Sequence, residues 1–412
     1  MSPITFFSLD NGLKVGIEPM DGVRSVGISL LVPAGSALEP DALEGLGALW
    51  CELLQRGAGE LDSRMQADAF DRLGLTRAVR GRTLFSSIGA TALGTRLADA
   101  IPLLSAMVRE PRFDPDAIEP SRELALQSLA SLGDDPHQRC ALLARSHHLA
   151  PPINRSGMGT EHTLNAITRD DLVQWWRRLA RPDGAILAIA GEVDPNAIRP
   201  VLEHCLGDWQ GTAPTIEINP LGQRGYHHEP DESNQVQIDL LHDAPPDNHP
   251  DANLERLVQS VLSGGMSVRL FTEVREKRGL CYSVNSSYAP GRDFGTVGAY
   301  VGTMPERAQE SLDVLLDELR RIHEKNDVTD DEFQRAIVGM KSSIVFAGES
   351  SSARASAIAG DIHRRGQPRT LRQIASEIDA LTRDDLRDYL DRRTLGTITI
   401  QTLGPNPLTP NL

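Results

Sequence analysis

Two kinds of hydrophobic pattern alternate along this chain. Short apolar runs at Val26–Val32, Phe85–Thr91, Gln235–Leu241 and Gly295–Val301 have the length of strands and predict a β-sheet in each half. Longer stretches such as Leu97–Val108 and Ala308–Ile322 place apolar residues three and four apart, the spacing of an amphipathic helix. Leu43, Leu46, Leu49, Trp50, Leu53 and Leu54 share that spacing and predict one more core-facing helix. Runs of strands followed by runs of helices argue an α+β class, with helices covering one face of a largely antiparallel sheet.

The pattern repeats. Asn165-Ala-Ile-Thr-Arg-Asp-Asp-Leu172 returns as Asp379-Ala-Leu-Thr-Arg-Asp-Asp-Leu386, 214 residues later in a chain of 412. In both copies a Thr precedes two acids, the signature of an N-cap followed by charges that suit the positive end of a helix. Each copy then leads to a strand, Gly184–Gly191 in the first and Gly396–Leu403 in the second. The same offset relates the helix opening at Phe113–Ile118 to that at Asp327–Glu332. Two matches in one register argue duplication into two homologous domains, 1–210 and 225–412. The Pro- and Gly-bearing stretch 211–224 is read as the linker.

Composition narrows the partners. A net charge of −15 repels phosphate backbones and 4% aromatic content offers few stacking platforms, so no nucleic-acid role is expected. The segment from Met1 to Asp10 lacks the basic and apolar regions of a leader, and no run of about 18 apolar residues occurs, so no membrane role is expected either. Cys51, Cys140, Cys205 and Cys281 show no paired spacing, which points to a reducing, cytoplasmic setting. Asp134, Asp135, His137 and Cys140 match no ligand spacing and are read as a polar loop, and the pairs His147-His148 and His227-His228 lack a chelating neighbour.

The stretch Gly35-Ser-Ala-Leu-Glu-Pro-Asp-Ala-Leu-Glu-Gly-Leu-Gly-Ala-Leu-Trp-Cys-Glu-Leu-Leu-Gln-Arg-Gly57 resembles the pitrilysin/insulinase (M16) peptidases. Those carry a similar Gly-Ser-x-x-Glu lead into a helix bearing His-x-x-Glu-His, whose histidines share one face and one zinc ion while the Glu serves the metal-bound water. Aligned on that motif, the ligand and base positions here are Ala48, Cys51 and Glu52, and the third ligand falls on Gln127 or Ser128. The resemblance therefore implies the family's LuxS/M16 metallohydrolase-like fold without its metal: no zinc and no other cofactor is expected in this chain.

The second half has kept more. Leu262-Ser-Gly-Gly-Met-Ser-Val-Arg-Leu-Phe-Thr-Glu-Val-Arg-Glu-Lys-Arg-Gly-Leu-Cys-Tyr-Ser-Val284 is similar to the family's second domain, with Ser267–Arg278 read as a helix, Gly279 as its cap and Leu280–Tyr288 as a strand. By its residues alone, Arg275 is a partner for Glu273 or Glu276 and Tyr282 a half-buried strand residue. The resemblance implies instead that Arg275 and Tyr282 hold the substrate and hydrogen-bond the scissile carbonyl as its oxygen gains charge. Together these imply a noncatalytic subunit of a two-chain bacterial peptidase, with peptide as substrate and zinc in a catalytic M16 partner bearing His-x-x-Glu-His. The competing expectations are a structural subunit like the core proteins of respiratory complexes, a peptide-binding chaperone, and an active zinc peptidase despite the altered motif.

Overall fold

A computed structural model describes residues 3–411; Met1 and Ser2, the first residues of the segment read above as lacking a leader, lie outside the described residues. The strands are β1 (Thr5–Ser8), β2 (Lys14–Pro19), β3 (Ser25–Val32), the two-residue pair β4 (Gly57–Ala58) and β5 (Leu61–Asp62), β6 (Thr76–Gly81), β7 (Ser86–Leu93) and β8 (Ile186–Gly191) in the first half. In the second half they are β9 (Gly225–Pro230), β10 (Val236–Ala244), β11 (Cys281–Pro290), β12 (Gly295–Thr303) and β13 (Thr399–Gly404). They build a six-stranded sheet in the order β1-β2-β8-β3-β7-β6 and a five-stranded sheet in the order β11-β12-β10-β13-β9.

Taken from its β9 edge, the second sheet runs β9-β13-β10-β12-β11 and repeats β2-β8-β3-β7-β6 of the first. Even the single parallel pair recurs at the same place, β2 with β8 and β9 with β13, amid antiparallel neighbours. Local chemistry explains why the repeated sequences fold alike. Thr168 and Thr382 each cap a helix, accepting from the backbone N–H of Asp171 and Asp385, whose carboxylates return the bond to the Thr N–H. The predicted strands and helices are present, Leu97–Arg109 and Ala308–Glu324 among the latter.

Two compact units result, one comprising residues up to Ser131, Arg155–Ile218 and Phe346–Thr370, the other Leu132–Asn154, Asn219–Val345 and Leu371 onward. Each unit thus borrows one helix from the opposite half of the chain. In the first unit one face of the sheet packs on the helices of its own half, through Val15, Ile28 and Leu30 against Leu49, Trp50 and Leu53. Its other face, with Ile186, Ala188 and Ala190 of β8, is covered by Ala355, Ile358 and Ile362 of the borrowed helix Ser351–Arg365. The expectation of helices on one face only is therefore corrected. Strand β8 is buried along its whole length, and a strand covered on both sides shows no alternation to betray which face is wet. Gly27 lets the helix close in, since a Cβ there would lie 2.4 Å from the Ser351 carbonyl carbon. At the helix start Arg354 pairs with the buried Glu18.

In the second unit the borrowed helix is Pro136–His148, lying on β10 and β13. The predicted polar loop is corrected here. Asp135 caps this helix by accepting from the Gln138 N–H at 2.9 Å, and His137 and Cys140 are helical residues. This contact is polar where its counterpart is apolar. The Cys140 thiol lies 3.6 and 3.5 Å from the carbonyl oxygens of Gln237 and Gln401 and hydrogen-bonds Asp239, while the His137 ring stacks on Tyr300 at 3.9 Å.

Burial raises the Asp239 carboxyl from 3.8 to about 7, and burial beside Arg224 lowers His148 to about 4. The two work in opposite directions on stability. Asp239 binds its proton more tightly folded than unfolded, so its contribution is full in acid and is lost as pH rises from about 4 through 7, at about 1.4 kcal/mol per unit. His148 binds its proton less tightly folded, and its contribution falls away as pH drops from 6.5 toward 4. Urea titrations across this range should show Asp239→Asn gaining on the native chain as pH rises. A constant difference between the two would contradict the buried, protonated carboxyl.

Candidate functional site

The helix Leu46–Leu53 carries Ala48, Cys51 and Glu52, the positions that the resemblance aligns with a metal site. It starts at Gly45, whose φ of +105° suits glycine, and Glu39 caps it by accepting from the N–H groups of Gly45 at 2.7 Å and Gly47 at 2.8 Å. Burial raises the Glu39 carboxyl to about 7, against the pull of those amides and of Arg155. Arg155 closes the turn, pairing with Glu44 at 2.9 Å and with Asp41. Trp50 anchors the helix below, donating to the Leu172 carbonyl at 3.3 Å and meeting the Trp176 ring edge-on at 5.2 Å. The Glu lead into the helix thus has a structural use that survives without any metal.

The donor positions do not fit zinc. Ala48 has no donor atom and packs against the core. Cys51 lies against Gly81 of β6, and burial pushes its thiol up to about 11, so it is protonated at neutral pH and a poor ligand. Glu52 pairs with Arg56 at 3.7 Å. The helix Pro115–Ala130 packs alongside, as a third ligand would require, yet Gln127 and Ser128 are exposed and the Ser128 hydroxyl donates to its own helix at Leu124. Among the described residues no group of three His, Cys, Asp or Glu side chains is placed to hold a metal ion. Zinc at micromolar concentration should leave the melting temperature unchanged, since only a ligand that binds the folded state raises it. A zinc-dependent rise, with stoichiometric metal after dialysis, would overturn this.

In the second unit the turn that bears Arg275 and Tyr282 departs from the predicted Ser267–Arg278 helix. Ser263–Ser267 is an irregular turn, with Gly264 at φ +106°, and helical structure begins only at Arg269. Two adjacent glycines oppose helix there. Arg269 anchors the new start through Asp327 at 2.7 Å and Glu332 at 2.8 Å. Phe271–Glu276 then forms a π-helical turn, a rare widening that accommodates an extra residue. Gly279 ends it at φ +60°, its N–H donating to the Arg275 carbonyl and that of Leu280 to Val274, as a left-handed cap requires. Arg307 ties down the carbonyls of Arg278 and Gly279.

Strand β11 follows along the sheet edge. Its register with β12 slips between Cys281 and Ser283, so Tyr282 is the extra residue of a β-bulge and is 68% exposed, not half-buried. Nor does Arg275 pair with Glu273 or Glu276. Glu273 is taken by Lys277 at 2.7 Å and Arg278 at 2.8 Å, and Arg275 makes no ion pair among the described residues. Its guanidinium lies over the Phe271 ring and acts electrostatically on Cys281, whose thiol burial raises to about 11. Arg275 and Tyr282 therefore flank one capped turn, both in solvent and both with donors to spare. Neither the π turn nor the bulge has a sequence signal beyond the glycines around them.

A duplicated sheet-and-helix unit with this pair of turns defines a two-unit α+β protein. Residues 15–155 match the model of the insulinase family, peptidase family M16, and residues 166–340 match that of the peptidase M16 inactive domain. The chain belongs to peptidase family M16. An uncharacterized zinc protease of Streptomyces coelicolor is 27% identical over 97% of this chain and 89% of its own length, and one from Bacillus subtilis is 25% identical over 91% and 92%. Among solved structures, a peptidase M16 inactive domain from Pseudomonas fluorescens superposes with a TM-score of 0.88 at 21% identity, covering 99% of this chain and all of that one. A chain of complex III from Candida albicans reaches 0.85 at 17% identity, covering 98% and 96%. At these identities the structures speak for the fold alone.

Proposed function

We propose that this chain is the noncatalytic, substrate-binding subunit of a two-chain zinc peptidase. The observation that carries the reading is the contrast between its halves. On the helix aligned with the family's metal site Ala48 has no donor atom, the Cys51 thiol is buried and protonated and Glu52 pairs with Arg56, while Arg275 and Tyr282 stand exposed in the other half with no ion pair among the described residues. In such a complex the partner supplies a His-x-x-Glu-His helix, its zinc and the attacking water. Arg275 and Tyr282 grip the peptide and donate to the carbonyl oxygen as it becomes an oxyanion. A guanidinium brings fixed charge and a phenol a neutral donor, and neither needs the metal to be in the same chain. The zinc-protease names of the relatives support peptide hydrolysis as the chemistry, and the inactive-domain match over the second half suits a chain that works with a peptidase partner. Four free cysteines agree with a reducing compartment such as the cytoplasm, and no helix among the described residues is long and apolar enough to cross a membrane.

The test is reconstitution. The chain alone should leave a fluorogenic peptide library intact, and adding the catalytic chain that co-purifies with it should produce chelator-sensitive cleavage absent from either chain by itself. Cleavage by the isolated chain would restore the active-peptidase reading. Peptide affinity with no hydrolysis in any mixture would favour a binding or structural role.

A further inference from the structure

An arginine in an exposed turn has two ordinary fates: collapse onto a nearby carboxylate, or free sampling of many rotamers in water. Arg275 is kept from both. The acid two residues before it, Glu273, is held by Lys277 at 2.7 Å and Arg278 at 2.8 Å. Its guanidinium carbon instead sits 4.9 Å from the centroid of the Phe271 ring, one turn earlier. The negative face of an aromatic ring attracts a cation without using up any of its N–H donors. An ion pair would have occupied those donors, so a ring is the one kind of partner that orients this side chain and leaves it able to bind.

We infer that Phe271 is a positioning residue for Arg275, holding the guanidinium on its ring face so that the N–H groups meet the substrate already oriented. The inference rests on the reading of Arg275 as a substrate-holding group. The base of the turn is rigid enough for such a shelf to matter: Val274 is buried, Gly279 caps the turn and Arg307 pins the carbonyls that follow. Pre-orientation reduces the rotamer freedom lost when substrate binds and places the donors where charge develops.

Two measurements test it. In the isolated chain, nitrogen relaxation at Arg275 Nε should show an ordered side chain that becomes mobile in Phe271→Leu and stays ordered in Phe271→Tyr and Phe271→Trp, which retain a ring face. In the complex with the catalytic chain and a fluorogenic peptide, Phe271→Leu should lower kcat by about 2- to 5-fold, the worth of an exposed cation–π contact. Replacing Phe271 by phenylalanines with one, two and three ring fluorines should lower kcat in steps, because fluorine drains the ring face while barely changing its shape. A merely structural Phe271 would not respond to that series. Unchanged Arg275 order and unchanged kcat across these variants, with Arg275→Ala still disabling, would overturn the inference and leave the subunit reading intact. If Arg275→Ala had no effect, the substrate-holding role of Arg275 would fall and with it the catalytic part of the inference, and the relaxation data would still decide whether Phe271 orders the side chain.

Discussion

In the reconstituted complex, Arg275→Ala should lower kcat/KM by about 10²-fold or more, the usual loss when a donor to a developing oxyanion is removed. Tyr282→Phe takes away one hydroxyl and keeps the ring, so a comparable fall isolates the hydrogen bond from packing. Both side chains are exposed, and neither makes an ion pair or side-chain hydrogen bond among the described residues, so the folded chain tolerates their loss. Melting temperatures should fall by no more than about 4 °C, the most that loss of an exposed cation–π contact costs a unit of this size. Arg275→Lys should restore little, because a point charge does not reproduce the two-pronged fork of a guanidinium. Full turnover in both Arg275→Ala and Tyr282→Phe would remove the proposed role of the pair.

Glu255→Ala should produce the largest loss of stability. Glu255 is buried on the helix Ala252–Leu262 and binds Arg393 twice, at 2.8 and 2.9 Å. It also accepts from the Tyr389 hydroxyl at 2.5 Å and the Gln259 amide at 2.8 Å. Burial works against its charge, yet Arg393 holds the carboxyl below its ordinary value. Removing it strands the buried Arg393 cation, whose Nη1 already lacks a hydrogen-bond partner among the described residues, beside His242 and Tyr389. Breaking one side of a buried pair costs about 3–5 kcal/mol, which in a unit of this size lowers the melting temperature by roughly 10 °C. Calorimetry would show it, and a fall below about 3 °C would mean that Arg393 finds water or another acid. The effect reaches the candidate site, since Gln259 also accepts from the Ser286 hydroxyl of β11, four residues beyond Tyr282. Peptide turnover in the complex should fall along with stability.

Much of the fold was legible because its signals are local. The Thr168 and Thr382 caps, the matching strands Ile186–Gly191 and Thr399–Gly404, and the 214-residue offset are written in short motifs whose geometry needs few distant partners. That position 48 offers no metal donor was equally plain, because an alanine cannot ligate in any fold. Less legible was the destination of the helices Pro136–His148 and Ser351–Arg365. Their apolar and polar faces predict burial without naming the sheet that buries them. His137 and Cys140 looked like loop chemistry because their polar groups are satisfied by Tyr300, Asp239 and two strand carbonyls far away in sequence.

The same division runs through the candidate site. Residue identity alone determined that this chain has two similar halves, that its first has an alanine at position 48, and that its second has an arginine and a tyrosine seven residues apart. Tertiary structure decided whether those two side chains are available. Several partners competed for Arg275, and the outcome turned on Lys277 and Arg278 claiming Glu273, on a π turn setting Arg275 over Phe271, and on a bulge against β12 turning Tyr282 into solvent. Such competitions are settled by geometry at the scale of single side chains, where alternatives differ by about 1 kcal/mol and no periodicity records the winner.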